Sequence, residues 1–111
     1  MWYSPGRRIT MSTLHKRLEA MEKVGAGDLA DQALRKLICL HLQKYEKQLK
    51  EVQRELEPFE EQYGMSSDEC HQRFVRGEMG DAVDIMDWMG LYDNALLYRE
   101  RIETLREAAE V

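Results

Sequence analysis

The chain has 111 residues, of which 43% are hydrophobic and 33% are charged, and its formal net charge is −5. A chain of this length folds as one domain at most, and no apolar run reaches the ~18 residues that a transmembrane helix needs. Its two cysteines, Cys39 and Cys70, do not suggest a disulfide framework. We therefore expect a cytoplasmic protein with no membrane segment.

The charge is distributed unevenly along the chain. Residues 1–56 contain 11 Lys/Arg and 7 Asp/Glu, a net charge of +4, whereas residues 57–111 contain 5 and 14, a net charge of −9. No cationic residue occurs between Arg76 and Arg99, although five acidic residues do. This asymmetry points to oppositely charged partners. Alternatively, the acidic residues only favour a helix N-terminus, and the basic ones only solvate an arm.

The first two elements are predicted from glycines, proline and apolar spacing. Residues 1–11 contain Pro5 and Gly6 and are expected to be an irregular arm. A short amphipathic helix over 13–24 should follow, and the glycines at Gly25 and Gly27 should end it. Asp28 is the expected N-cap of a long helix over 28–63.

The long helix carries a stripe of apolar residues at alternating steps of four and three, the spacing of heptad a and d positions. Pro58 interrupts it and should kink the helix or restart it near Glu57. The stripe, which we call the first seam, consists of Ile38, Leu42, Tyr45, Leu49, Val52, Leu56, Phe59 and Tyr63.

Two further helices are predicted after Gly64. A short helix over 67–76 has a candidate capping box, from Ser66 to Glu69. A last helix over 82–108, with Asp81 as its N-cap, repeats the heptad spacing. This second seam consists of Trp88, Leu91, Ala95, Tyr98, Ile102, Leu105 and Ala109.

The pattern predicts an all-α fold, a long antiparallel helical hairpin or coiled-coil-like bundle with short accessory helices. We expect a single helical domain over 12–111. A helix over 28–63 is about 54 Å long at ~1.5 Å per residue, which would protrude from a compact domain of this size. Covering of the protruding seam by a second copy predicts a homodimer.

The start of the last helix is the candidate partner-binding site. Acidic side chains here would complement a basic protein surface, and Trp88 and Tyr92 would be its apolar anchors. The alternative is that the bulky residues are core, which in a dimer is compatible with an interface. The candidate partner-binding residues are Glu78, Asp81, Asp84, Asp87, Trp88 and Tyr92.

Metal binding and catalysis have little support. Asp81, Asp84 and Asp87 share a helix face, but a hard cation needs oxygens from more than one segment. The cysteines and the histidines next to them lack the usual spacing of a zinc site, and no motif for a nucleophile, a phosphate loop or a metalloprotease occurs. We therefore predict a protein that is not an enzyme and uses no cofactor.

A segment over 59–94 resembles a family motif, approximately F-E-x-x-Y-G-M-S, then an acidic G-x-x-G-D stretch, then D-x-x-[DE]-W-x-x-L-Y. It is similar to small helical prokaryotic proteins of antitoxin type, which are encoded beside toxin-like partners. Cys70 and Gly90 depart from the pattern. The matching residues are Phe59, Glu60, Tyr63, Gly64, Met65, Ser66, Phe74, Gly77, Gly80, Asp81, Asp84, Asp87, Trp88, Leu91 and Tyr92.

This resemblance implies a non-enzymatic partner that sequesters a toxin. It favours an interaction module with a basic, toxin-like protein partner. One alternative is a DNA-binding regulator that uses basic N-terminal residues, although Asp28 and Asp31 would face phosphates poorly. The other is a structural homodimer or scaffold without a toxin. The candidate nucleic-acid contacts are Arg7, Arg8, Lys16 and Arg17.

Overall fold

A computed structural model describes residues 8–111, which form four helices and, within that range, no strand. Their bounds are Met11–Lys23 (α1), Gly27–Tyr63 (α2), Ser67–Val75 (α3) and Val83–Ala109 (α4). The predicted all-α class is confirmed, and every predicted helix end lies within two residues of the observed one. None of the helices in this range is both long and apolar enough to cross a membrane.

The chain groups into two compact units, and the second begins at Ile38, inside α2. In the first unit, α1 begins two residues earlier than predicted because Thr10 caps it. The Thr10 hydroxyl oxygen accepts a hydrogen bond of 3.1 Å from the Thr13 N–H, which satisfies one of the free donors at the helix start. The predicted arm over 1–11 is therefore one residue too long at its described end.

The break between α1 and α2 is a Schellman turn. Gly25 has a φ of 81°, a left-handed conformation that favours glycine. The N–H of Ala26 bonds to the Met21 carbonyl, and that of Gly25 bonds to the Glu22 carbonyl, which satisfies the last carbonyls of α1. The prediction of Asp28 as the N-cap of α2 is wrong, because α2 begins at Gly27 and Asp28 lies in its first turn.

In the second unit, α2 and α4 run antiparallel and their heptad seams pack on each other. Tyr45 stacks on Tyr98 at a ring-centroid distance of 6.0 Å, and Phe59 stacks on Trp88 at 5.8 Å. Residues later in α2 thus meet residues earlier in α4, which is the predicted hairpin. The buried core cluster consists of Val52, Leu56, Cys70, Ile85, Trp88, Met89, Tyr92 and Ala95.

Pro58 lies inside α2 without ending it. The helix continues through Pro58 to Tyr63, so the predicted restart near Glu57 is wrong. Proline still removes one backbone donor, and a kink at this point stays a prediction. α2 then ends at Gly64, whose φ is 63°.

α3 closes the end of the hairpin where α2 and α4 are joined. As predicted, the Ser66 side chain caps α3 by accepting a 3.1 Å hydrogen bond from the Glu69 N–H. The Glu69 carboxylate accepts a hydrogen bond from Arg73 Nη2 at 2.9 Å, one turn further along the helix. The serine half of the predicted capping box is therefore confirmed, and the glutamate is used in an i,i+4 ion pair.

Candidate partner-binding surface

The predicted apolar anchors of the partner site are buried inside the second unit. Trp88 has no exposed surface and Tyr92 is 4% exposed. Their prediction as contacts for a partner is wrong, because they face the core between α2, α3 and α4. A heptad stripe shows which face of a helix is apolar, but it does not show what covers that face. Here α2 and α3 of the same chain cover the side of α4 that carries Trp88 and Tyr92.

Trp88 is the centre of a junction that joins the three helices. Its ring stacks on those of Phe59 and Tyr63, the latter at a centroid distance of 5.3 Å. Its indole Nε1–H donates a 2.8 Å hydrogen bond to the Ser67 hydroxyl oxygen. Ser67 in turn donates from its hydroxyl and its backbone N–H to Oε2 of Glu60, both at 2.9 Å.

Several residues of the segment over 59–94 meet in this junction. Phe59 and Glu60 of the F-E-x-x-Y-G segment supply a ring and a carboxylate, and Trp88 of the D-x-x-[DE]-W segment joins both. Ser67, which sequence reasoning missed, links them. It is 3% exposed, and a small polar residue in a helix's first turn carries no periodic signal that predicts burial.

Tyr92 makes a second link between α4 and α3. Its hydroxyl donates a 3.1 Å hydrogen bond to Oδ1 of Asp68, and its ring lies 5.1 Å from that of His71. Burial raises the pKa of Tyr92, and the hydrogen bond to the Asp68 carboxylate raises it further. The neutral hydroxyl is therefore the form that the folded chain favours.

The acidic candidates lie at the surface. Glu78, Asp81, Asp84 and Asp87 are all exposed. Glu78 forms an ion pair with the Arg76 guanidinium, so its charge is partly neutralised. Asp84 lies in the first turn of α4, where it complements the helix dipole.

The prediction that Asp81 caps α4 is wrong. Ala82 is the N-cap residue, its carbonyl accepts the first helical bond from the Met86 N–H, and no side chain caps this end. Asp81 thus projects from the loop after Gly80, whose φ is 74°. Its carboxylate is available to another molecule.

Most of the two seams is covered within the chain. Val52, Leu56 and Ile102 are buried, and Ile38, Leu42, Tyr45 and Leu105 are half-buried. Five further seam residues are half-buried and pack against the core cluster: Leu49, Phe59, Tyr63, Leu91 and Tyr98.

The basic candidates lie at the N-terminal end of the described chain. Arg8, Lys16 and Arg17 are exposed, and Arg7 lies outside the described residues. In the same helix, Lys23 pairs with Glu19 at 3.1 Å. The first acidic residues of α1, Glu19 and Glu22, come after all three of the exposed candidates.

The two cysteines lie in different environments. Cys39 is exposed and Cys70 is buried. Within residues 8–111, no three histidine, cysteine or acidic side chains converge as metal ligands would. Burial raises the pKa of the Cys70 thiol, although Arg73 opposes the shift, so this thiol favours its neutral form.

Compared with models of known protein families, with curated proteins and with solved structures, the chain matches none.

Proposed function

We propose that this chain is a non-enzymatic, cytoplasmic interaction module that binds a basic protein partner, in the manner of an antitoxin that neutralises a toxin. The observation that carries the proposal is the exposed acidic segment at the start of α4. From Gly77 to Tyr98 the chain contains no cationic residue, and Asp81, Asp84 and Asp87 all reach solvent.

The segment is held on a rigid support. The junction of Trp88, Ser67 and Glu60 fixes the start of α4 against α2 and α3 through one buried and one partly buried hydrogen bond. A fixed row of carboxylates accelerates the encounter with a basic surface, because the field of the acidic residues steers the partner before contact. The resemblance of the 59–94 segment to antitoxin-type proteins supports the same kind of partner.

The resemblance implies a toxin-like partner encoded beside this chain, and the test is association with that gene product, measured as a function of salt. The triple variant Asp81→Asn, Asp84→Asn, Asp87→Asn should associate about tenfold more slowly at low salt. Its association rate should also depend less on salt, because the steering charge is lost. A control removes three charges from the exposed far end of α4: Glu103→Gln, Glu107→Gln and Glu110→Gln.

The control should leave the association rate within about twofold of that of the unaltered chain, because these carboxylates lie several helical turns from the proposed surface. Equal effects of both triple substitutions would show that only net charge matters. That result would refute the assignment of the acidic segment.

Homodimerisation is part of the proposal, and the first unit supports it. Between residues 8 and 37 no residue is buried, while Leu29 and Leu37 are 63% and 52% exposed. Exposed leucines of this extent favour covering by another chain. Light scattering after size exclusion should give twice the chain mass, and Leu29→Gln with Leu37→Gln should return a monomer that keeps its helicity.

A further inference from the structure

α4 carries a second apolar stripe that its own chain leaves uncovered. Val83, Met86, Gly90 and Leu97 follow one another at steps of three, four and seven, so they share one side of the helix. Val83 is 74% exposed, Met86 is 51% exposed and Leu97 is 40% exposed. We call these four residues the outer face of α4.

Gly90 is not required by the fold of this chain. It lies in the middle of a helix, and its φ is not positive. A Cβ built on it meets no atom within 4 Å. An alanine would fit there and would favour the helix more than glycine does. The missing side chain instead lets a second backbone approach the outer face closely.

Carboxylates border the outer face on both sides. At 100° per residue, Asp87 lies along one edge of the stripe, and Asp93 and Glu100 lie along the other. All three are exposed, and Oδ1 of Asp93 lies 3.9 Å from Nε2 of His71. Arg101 is exposed on the same side of α4, one turn beyond Leu97, so the acidic border runs along the stretch from Met86 to Leu97. A segment that is apolar in the middle and basic at its flanks would complement that stretch.

We propose that the outer face of α4 docks an amphipathic basic helix of the partner, whose backbone crosses α4 at Gly90. Apolar residues of that helix would cover Met86 and Leu97, and its lysines or arginines would pair with the bordering carboxylates. This proposal rests on the proposed function, since it names the element of the basic partner that the surface accepts. It also replaces the buried aromatic side chains as the apolar part of the contact.

The test uses two adjacent leucines of almost equal exposure. Leu96 is 37% exposed, but it lies about 100° around the helix from Leu97. The probe is a fluorescein-labelled helical peptide of leucine, alanine and lysine heptads, about three heptads long, and the readout is its fluorescence anisotropy with the full chain. Leu97→Gln should weaken binding by at least about tenfold, and Leu96→Gln should change it by less than about twofold.

Gly90→Leu should also weaken peptide binding, while circular dichroism shows that the helix content is kept. The same peptide with glutamate in place of lysine should not bind, because the bordering carboxylates repel it. Equal effects of Leu96→Gln and Leu97→Gln, or no binding of the basic peptide, would overturn the proposal. So would a dimer that Leu97→Gln dissociates, because a second copy would then occupy the outer face.

These outcomes separate this proposal from the proposed function. One outcome is that the partner binds with the expected dependence on Asp81, Asp84 and Asp87 but with equal affinity to the Leu96→Gln and Leu97→Gln variants. In that case only the outer-face proposal is refuted. If neither the protein partner nor the basic peptide binds, both proposals fail.

Discussion

Three serine-to-alanine substitutions test whether the Trp88 junction stabilises the hairpin. Ser67→Ala removes a hydroxyl that accepts from the Trp88 indole and donates to the Glu60 carboxylate, at 2.8 and 2.9 Å. The fully buried indole N–H would lose its partner, at a cost of about 1–3 kcal/mol. A lost hydrogen bond to a carboxylate costs a further ~1.5 kcal/mol. We expect the free energy of unfolding to fall by about 3 kcal/mol.

The other two serines calibrate this value, because the chemical change is identical. Ser66→Ala removes only the cap of α3, which should cost about 1 kcal/mol. Ser12→Ala alters an exposed position in α1 and should stay within about 0.5 kcal/mol of the unaltered chain. Of the three serines, only Ser67 is hydrogen-bonded to Trp88.

The assay is urea unfolding followed by circular dichroism at a helix band. With a slope of about 1.5 kcal/mol per M, Ser67→Ala should lower the midpoint by about 2 M. A loss for Ser67→Ala no larger than that for Ser66→Ala would refute the reasoning. Such a result would mean that the indole N–H finds water or another acceptor once the hydroxyl is gone.

Three further outcomes are expected. Gly90→Ala should raise the free energy of unfolding by about 1 kcal/mol, because a helical glycine with free space gains from a Cβ; Gly25→Ala, at a φ of 81°, should lower it by about 1 kcal/mol. The pKa of Tyr92 is raised above its ordinary value of 10.0, so the stability that its neutral hydroxyl contributes is present below pH 10 and is lost as the pH rises through the raised value. In urea titrations at alkaline pH, Tyr92→Phe should therefore show a smaller fall in the free energy of unfolding. A thiol reagent should modify the exposed Cys39 at once and the buried Cys70 only as the chain unfolds; equal rates would contradict the burial.

The secondary structure of this chain was predictable because its signals are local. Gly25 and Gly64 end helices because they adopt a positive φ, which residues with a side chain disfavour. Ser66 caps α3 through a hydrogen bond to the N–H three residues later. The start of α4 was harder to predict. Asp81 has the right chemistry for a cap, but Ala82 occupies the position, and nothing local distinguishes the two registers.

The candidate site was predictable only in its charges. Asp81, Asp84 and Asp87 are exposed, as a row of carboxylates at a helix start normally is. Trp88 and Tyr92 were predicted to be exposed contacts for a partner, but both are buried. Composition favours tryptophan and tyrosine both in cores and in interfaces, so the sequence pattern does not separate the two.

By itself, the sequence determined that this protein is helical, where its helices lie and which faces of α2 and α4 are apolar, because period, caps and stops act within a few residues. Only the tertiary structure decided what covers those faces. The pairing of α2 with α4 buries Trp88 and Tyr92, and α3 brings Ser67 to the indole across 21 positions of chain. It also leaves Val83, Met86 and Leu97 uncovered, because one helix can pack only one of its sides against a single hairpin partner.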